Sequence, residues 1–388
     1  MKIAFLSQMS IREFSEYFPG IELPEGYKSE IFVPLIKKYL ELGHEVVICT
    51  LNIGSIKSQV YSSGKLTIFA AGCLVKPKLR AFNNFEYEIN QMVQYFKKNP
   101  CDIYHAHWTY EFAEAALRID SKNTIITIHD WPELIYDMFK DYYRKKRLEL
   151  SNRVFLRGDV FTTVSPYIAD MFRKKYKEKE IKVIPNYTHF TDEELQVAAQ
   201  YSLESPVLIS INTFDPRKNT TTLIKAFQLI KEVIPSASLK LFGHGHGKNE
   251  DAEKWAIKQG INIDGIEFVG TVSHSVIVNE LKKATVLIHP SLEESFGLTL
   301  IEAMFCKTPV IGGINSGAVP WVLENGNAGI LVDVRNEDEI SRAVIKLLGD
   351  ELLYKSLIAK GLDRVRDFSL DTIAEQYLEK YKNIINER

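Results

Sequence analysis

The sequence alternates short apolar segments with segments of helix length, and this alternation occurs twice along the chain. Within the short segments, the residues that would lie on either face of a strand are mainly apolar, so neither face is suited to contact with water. Such strands, separated by helices, are typical of parallel sheets covered by helices on both sides. The predicted strands are 2–7, 45–50, 66–70, 102–107, 124–129, 160–165 and 182–185, then 206–212, 238–243, 266–270, 284–290, 309–313 and 329–333. We therefore predict an α/β protein with two doubly wound parallel sheets in tandem.

A length of 388 residues is too great for one ordinary core and suits two domains. The predicted boundary lies near 187–205, which gives a first domain over 1–190 and a second over 191–370. Helical patterns include 29–42, 80–98 and 109–119. The segment 371–388 has apolar residues at helical spacing: Ile373, Ala374, Tyr377, Leu378, Tyr381, Ile384 and Ile385. Because this stripe follows the last predicted strand, we expect a helix that crosses back onto the first domain.

Composition narrows the class of protein. No apolar run approaches the roughly 18–20 residues of a membrane-spanning helix, and the N-terminal MKIAFLSQ lacks a signal-peptide pattern. The four cysteines, Cys49, Cys73, Cys101 and Cys306, have no CxxC spacing. These features predict a reduced, cytoplasmic protein. A net charge of −2 argues against a nucleic-acid partner. The oligomeric state is not predicted.

The charge is unevenly distributed along the chain. Residues 1–190 carry 27 basic and 22 acidic side chains, whereas the remainder is net acidic. The segment 138–182 alone holds 13 basic against 6 acidic side chains. It includes KDYYRKKR (140–147), next to Phe139. Such a surplus favours an anionic neighbour, such as a lipid surface or a phosphorylated ligand, although a solvated helix face is the plain alternative.

The stretch HPSLEESFGLTLIEAM (289–304) joins a predicted strand to a predicted helix. Ligands of open parallel sheets bind at the carboxyl ends of strands, where helix N-termini attract anions. Gly297 permits close approach of the backbone. Glu302 stands among apolar residues, so it needs a hydroxyl or cationic partner. A structural glutamate paired with Lys or Arg is the alternative.

Two further loops follow predicted strands of the second half. INTFDPRKN (211–219) places Arg217 and Lys218 between a strand and a helix, where they could neutralise phosphate or simply face solvent. LFGHGHG (241–247) is a glycine-rich turn that indicates a close backbone approach.

In the first half, His107, Trp108 and His129 stand at the ends of predicted strands. A zinc site is conceivable for His105 and His107, but no third ligand is evident, so we predict no metal. His129 is better suited to contact a polar substrate.

Taken in order, these segments resemble the family 4 glycosyltransferases, which are retaining enzymes of the GT-B fold. MKIAFLS, LELGHEVVICT, DIYHAHW, TIITIHD and FTTVSPYIADMF resemble the first domain of that family. FDPRKNTTTLIKAF, LKLFGHG, IEFVGTV, HPSLEESFGLTLIEAM, TPVIGG and NAGILVD resemble its donor domain. The resemblance covers nearly the whole chain. It implies two Rossmann-like domains that face a cleft.

The resemblance also implies roles for single residues. Glu294 and Glu302 match the two glutamates of the E-x7-E motif, which hold the transferred sugar and the ribose. The remaining implied donor-site residues are Arg217, Lys218, Gly243, Val272, Phe296, Gly297 and Leu298, with Lys218 at the departing diphosphate. Glu294, Lys218 and His129 are the implied catalytic residues. On the acceptor side the resemblance points to Gly26, His107 and Trp108.

The sequence departs from the family at three places. Asn212-Thr213 stands where the family has Gly-Arg, and Arg217 is a candidate to replace the missing charge. The family's glycine-rich loop after the first strand is replaced by a longer segment in which only Gly26 matches. The linker carries Asn186-Tyr187-Thr188-His189 in place of Asn-Gly-x-Asp.

The resemblance implies a retaining transferase that moves a hexose or HexNAc from a UDP or GDP sugar to a glycan or lipid-linked acceptor, without a cofactor. Peripheral membrane contact through 138–182 would suit such an acceptor. Two alternatives are a nucleotide-sugar epimerase of the same fold and a non-catalytic nucleotide-sugar binder.

Overall fold

The computed structural model describes residues 1–24, 26–27, 29–188 and 202–387. The chain forms two compact units, Met1–Pro185 with Leu370–Arg388, and Asn186–Ser369. Each unit is built on one mainly or wholly parallel sheet, so the predicted pair of Rossmann-like domains is confirmed. Most of the predicted boundary region, including His189 of the linker motif, lies outside the described residues.

The sheet of the first unit has the strand order β3-β4-β2-β1-β5-β6-β7-β8. Its strands are β1 Lys2–Leu6, β2 Glu45–Asn52, β3 Gln59–Ser63, β4 Leu66–Gly72, β5 Ile103–His107, β6 Thr124–Ile128, β7 Val160–Thr163 and β8 Ile181–Val183. Its helices are α1 Val33–Glu41, α2 Pro77–Phe82, α3 Glu86–Lys98, α4 Glu111–Asp120, α5 Pro132–Phe139, α6 Tyr142–Arg157 and α7 Pro166–Lys175. All strands pair in parallel except β3, which pairs antiparallel with β4.

Two details of the first unit differ from the sequence prediction. The hairpin strand β3 was not predicted, because QVYSS is polar and exposed and lacks the apolar run of a buried strand. The predicted helix over 80–98 is two helices, α2 and α3. Asn84 and Phe85 between them have left-handed backbone angles, with φ of 51° and 61°, which an α-helix does not tolerate.

The last helix of the chain, Leu370–Asn386, belongs to the first unit and packs against α1. Its apolar face is buried, and the hydroxyl of Tyr381 lies 3.4 Å from that of Tyr39 and 2.6 Å from Nδ1 of His105. The predicted return of this helix to the first domain is therefore confirmed.

The sheet of the second unit is parallel throughout, in the order β11-β10-β9-β12-β13-β14. Its strands are β9 Val207–Ile211, β10 Ser238–Phe242, β11 Ile266–Gly270, β12 Val286–His289, β13 Val310–Gly313 and β14 Ile330–Val332. Its helices in the described residues are α8 Thr220–Val233, α9 Asp251–Lys258, α10 His274–Lys283, α11 Leu298–Phe305, α12 Val319–Val322, α13 Glu337–Gly349 and α14 Glu351–Val365. We number the final helix α15.

Helices cover the faces of both sheets, and the apolar side chains of the strands form the core beneath them. Open parallel sheets bind ligands at the carboxyl ends of their strands, so the loops there are where a site is expected. Within the described part of the chain, no helix combines the length and apolarity needed to cross a membrane.

Candidate functional site

In the second unit, one asparagine joins three loops at the carboxyl edge of the sheet. Asn219 has a left-handed backbone, with φ of 54°, immediately before α8. Its side-chain amide donates to the carbonyls of Pro290 at 3.2 Å and Val334 at 2.7 Å. The amide of Leu292 also donates to the carbonyl of Arg217 at 2.7 Å. The loops after β9 and β12 are thereby held against each other.

This arrangement brings Lys218 and Glu294 into direct contact. The ammonium of Lys218 forms a short ion pair with Oε1 of Glu294, and their side chains are only 15% and 12% exposed. The same oxygen lies 3.1 Å from Nε2 of His289, the last residue of β12. Because an ionised carboxylate only accepts, Nε2 of His289 carries the proton.

The carboxylate of Glu294 is held in its charged form. Burial alone would raise the pKa of Glu294, but the hydrogen bond from His289 and the charge of Lys218 outweigh burial and keep the pKa well below its ordinary value. At neutral pH the loop therefore presents a fixed acceptor beside a fixed cation. Such a pair suits sugar hydroxyls and phosphate oxygens.

The N-terminal end of α11 adjoins this pair. Gly297 has φ of 94°, a backbone conformation that side chains with a Cβ rarely adopt, so the turn into the helix favours glycine. The side chain of Phe296 is buried against Phe368, with ring centroids 5.4 Å apart, so only its backbone is suited to face a ligand. The first turn of the helix leaves amides without intrahelical partners, which favours an anion near Leu298.

Glu302 is less buried than the sequence suggested. Its neighbours Ile301 and Ala303 are fully buried, but the Glu302 side chain keeps 16% exposure. Its Oε1 lies 2.9 Å from Nε2 of His274, at the start of α10. The expected polar partner is therefore present, and it is a histidine rather than a lysine or arginine.

The loop after β9 is ordered by Asp215. Its carboxylate accepts from the hydroxyl of Thr213 at 2.6 Å and from the backbone amides of Arg217 and Lys218. Nη1 of Arg217 lies 4.0 Å from Oε2 of Glu293, which is the outer limit of an ion pair. The suggestion that Arg217 replaces the missing arginine at Thr213 remains a prediction.

Gly243 and Val272 follow the neighbouring strands β10 and β11. Gly243 has φ of 110°, and a Cβ would lie 2.1 Å from the carbonyl oxygen of Asn212. No other residue fits that position. Val272 is half-buried in the loop before α10. All the predicted donor-site residues therefore stand at or just beyond the carboxyl edge of one sheet.

In the first unit, the predicted histidines lie together, with His105 and His107 fully buried and His129 half-buried. Nδ1 of His107 and Nε2 of His129 are 2.9 Å apart, and the ring of Trp108 packs on His129 with centroids 4.7 Å apart. Nε2 of His105 lies 2.7 Å from the hydroxyl of Thr127. Burial lowers the pKa of His129 to about 3, so this ring is neutral at physiological pH.

Gly26 also lies on the carboxyl side of the first sheet, where it pairs with Ser10 in an isolated bridge. Its φ is 64°, and a Cβ would lie 3.1 Å from the carbonyl oxygen of Met9. The structure thus places Gly26, His107, Trp108 and His129 in the first unit, and the other predicted site residues in the second.

Sequence analysis missed three polar residues of the second unit: Asn219, His274 and His289. His289 ends a predicted strand next to the E-x7-E stretch, and that position was the available signal. In the described part of the chain, no group of three or more His, Cys, Asp or Glu residues is arranged to hold a metal ion.

Two family profiles match the chain. The profile described as "Glycosyl transferases group 1" matches residues 192–364, and the profile described as "Glycosyltransferase Family 4" matches residues 33–189. The chain belongs to the group 1 glycosyltransferases.

Proteins of similar sequence are consistent with this family assignment. An uncharacterized glycosyltransferase of Methanocaldococcus jannaschii is 26% identical over 306 residues, 76% of this chain and 79% of that protein. The N-acetyl-alpha-D-glucosaminyl L-malate synthase of Bacillus anthracis is 24% identical over 93% of this chain and 95% of its own length. Three further curated relatives match over about half of their own length.

Solved structures agree on the fold. The sucrose-phosphate synthase of Thermosynechococcus elongatus aligns over 100% of both chains with a TM-score of 0.78 and 21% identity. The fold of this group 1 glycosyltransferase is therefore GT-B.

Proposed function

We propose that this glycosyltransferase is a retaining enzyme that moves a hexose or HexNAc from a nucleotide-diphosphate sugar to a glycan or lipid-linked acceptor. The observation that carries the proposal is the contact of Lys218 with Glu294 beside the N-terminal end of α11. A cation, a carboxylate and free helix amides together match the needs of a leaving diphosphate and a sugar.

In this proposal each group has one task. The Lys218 ammonium and the amides of α11 stabilise the charge that develops on the departing diphosphate. Glu294 accepts hydrogen bonds from sugar hydroxyls, and His289 holds its carboxylate in place. Glu302, beside His274, accepts from the ribose hydroxyls.

The neutral His129 belongs to the acceptor side of the proposal. Retention follows if the acceptor hydroxyl attacks from the face that the diphosphate leaves, with its proton passing to a phosphate oxygen. Because the positive charge comes from Lys218 and α11, we expect EDTA to leave turnover unchanged.

A thermal-shift screen against UDP, GDP and ADP sugars identifies the donor, since a ligand of the native state raises its stability. Product analysis with the labelled donor then reports transfer and the anomeric configuration of the product. Lys218→Ala should lose transfer, whereas Lys225→Ala, which removes an exposed lysine of α8, should not. An epimerised donor formed without acceptor would instead indicate an epimerase, and binding without turnover would indicate a non-catalytic binder.

We further propose that the first unit docks on anionic lipid through an exposed aromatic patch that we call the α2–α6 patch. It consists of Phe82, Phe139 and Tyr142, which are 67%, 50% and 45% exposed. Phe82 and Tyr142 pack together with centroids 5.0 Å apart. Lys140 and Lys145 beside them are exposed and have no ion pair with a described residue. Exposed aromatics next to unpaired lysines suit a lipid surface.

Cosedimentation with vesicles tests this patch. Wild type should be retained on anionic vesicles more than on neutral ones, and Phe139→Ser should reduce that retention. Leu352→Ser is the matched control, because Leu352 is 83% exposed on the second unit. Equal retention on both kinds of vesicle would contradict lipid docking.

A further inference from the structure

A cavity in the first unit has a wall of arginine and tyrosine side chains. Its volume is about 620 Å³, within the roughly 300–1,000 Å³ range of small-molecule sites. It opens beyond the carboxyl ends of β1, β2 and β4, where open parallel sheets bind their ligands. The wall includes Arg80, Arg144, Arg147, Tyr27 and Tyr143.

The charges around the cavity are arranged in layers. None of the described residues that line it is acidic. The compensating carboxylates, Glu88 and Glu111, are fully buried behind the wall. Nη2 of Arg80 donates to Glu111 at 2.7 Å, and Nη2 of Arg147 donates to its other oxygen at 3.3 Å. The guanidinium groups are thus oriented from behind by the acids, and positive charge faces the cavity.

Most donors of this wall form no hydrogen bond to a described residue, although Nε of Arg80 lies 3.4 Å from Oε1 of Glu88. A guanidinium has five N–H groups, and Arg80 and Arg147 each use one in a hydrogen bond to a described residue. The hydroxyls of Tyr27 and Tyr143 also have no hydrogen-bond partner among the described residues. Burial raises the pKa of Tyr143, so its hydroxyl stays protonated and can donate. Planar guanidinium groups with spare donors match phosphate and carboxylate oxygens.

We propose that this cavity binds an anionic group of the acceptor, a phosphate or a carboxylate, through Arg80, Arg144 and Arg147. The assignment to the acceptor rests on the proposed transferase function, whereas anion binding itself does not. Arg144 lies where the cavity meets the α2–α6 patch, with its guanidinium 4.2 Å from the centroid of the Phe139 ring. An anion on a lipid-linked acceptor and an anion on a soluble acceptor would present the same chemistry here.

Calorimetric titration with inorganic phosphate, at ionic strength held constant with NaCl, tests the site. Hydrogen bonds to charged groups contribute about 1.5–3 kcal/mol, so Arg144→Gln and Arg147→Lys should each weaken phosphate binding by roughly 10- to 150-fold. Arg153→Gln is the matched control, because Arg153 is an exposed arginine on the same helix. Lys218→Gln controls for phosphate bound at the second unit. Arg153→Gln should bind phosphate as wild type does. Lys218→Gln should remove only phosphate bound at the second unit and should leave the affinity of the cavity unchanged.

The choice of variants distinguishes a loss of phosphate binding from a loss of folding. The Arg144 side chain is 38% exposed and forms an ion pair with Asp141 in the same turn, so its substitution should leave the fold intact by circular dichroism. Acetate in place of phosphate distinguishes a carboxylate from a phosphate site. Competition by glycerol phosphate indicates a soluble source, and competition only by phosphatidic acid vesicles indicates a lipid-linked one.

Three outcomes would overturn the cavity assignment: no phosphate binding by wild type, unchanged affinity in both cavity variants, or loss of binding only in Lys218→Gln. Donor binding and turnover are measured on the same preparations. If wild type transfers sugar but does not bind phosphate, only the cavity proposal is rejected. If it binds phosphate in the cavity but transfers sugar to no acceptor, only the transferase proposal is rejected.

Discussion

Substituting Glu111 by glutamine should destabilise the first unit strongly. Glu111 is fully buried in the first turn of α4 and accepts from both Arg80 and Arg147. Glutamine keeps the shape but removes the charge, and it turns one acceptor oxygen into an NH₂ group facing a guanidinium. Removing one partner of a buried ion pair costs about 3–5 kcal/mol, and we expect a loss of free energy of unfolding in that range.

The matched control is Glu86→Gln. Glu86 also occupies the first turn of a helix, α3, and its two oxygens accept from Arg118 at 2.6 and 2.7 Å. The Glu86 side chain is 39% exposed, however, and exposed pairs contribute about 1 kcal/mol or less. The helix-dipole contribution is similar in both variants, so the difference between them isolates burial.

Hydrogen exchange of peptides from β5 and β6 measures the effect within the first unit, and peptides from β9 and β12 serve as the internal reference. A loss of 3–5 kcal/mol corresponds to roughly 150- to 5,000-fold faster exchange through opening of that unit. An effect of Glu111→Gln no larger than that of Glu86→Gln would refute the reasoning from burial.

The stability difference between wild type and Glu111→Gln should also change with pH in a definite direction. Burial alone would raise the pKa of Glu111, but Arg147 and Arg80 lower it below its ordinary value. Its stabilisation is therefore complete above the unfolded-state pKa of about 4.3 and is lost as pH falls towards the folded-state value. The difference between wild type and Glu111→Gln should stay constant from pH 8 to about pH 5.5 and narrow only in more acidic buffer.

Three other expectations concern the candidate site. Lys218→Ala and Glu294→Gln should each lower turnover of a labelled sugar nucleotide by roughly 10²- to 10³-fold, and near-normal turnover would contradict their proposed roles. Gly243→Ala should destabilise the second unit, because the new Cβ would lie 2.1 Å from the carbonyl oxygen of Asn212, and hydrogen exchange of β9 and β10 would report it. The pKa of His129 is lowered to about 3 by burial, so the unfolded chain binds more protons and the first unit loses stability as pH falls below about 6.5. Between pH 7 and pH 5 this loss is about 2 kcal/mol, and a His129→Gln variant with the same acid sensitivity as wild type would disprove it.

The parallel strands of both sheets, and the sheet edge at which they end, were predictable from sequence, because buried parallel strands are apolar on both faces. The exposed antiparallel strand β3 was not predictable in this way. The loops carrying Lys218 and Glu294 were predictably neighbours, since β9 and β12 end at the same edge. The contact of both Lys218 and His289 with the same oxygen of Glu294 was not predictable, because a single histidine at the end of a strand leaves no periodic pattern in the sequence. The layered arrangement of Arg80, Arg147 and Glu111 was not predictable either, since these residues lie on three helices that are distant in sequence.

The hydrogen bonds of Asn219 also bear on how donor preference could be altered. Its side chain joins the loop of Lys218 to the loop of Pro290 and to a third loop, at Val334. Exchanging one of these loops with that of a relative would leave the amide facing a displaced carbonyl. Chimeric enzymes built for a new sugar donor should therefore take all three loops from one parent and keep the asparagine with them.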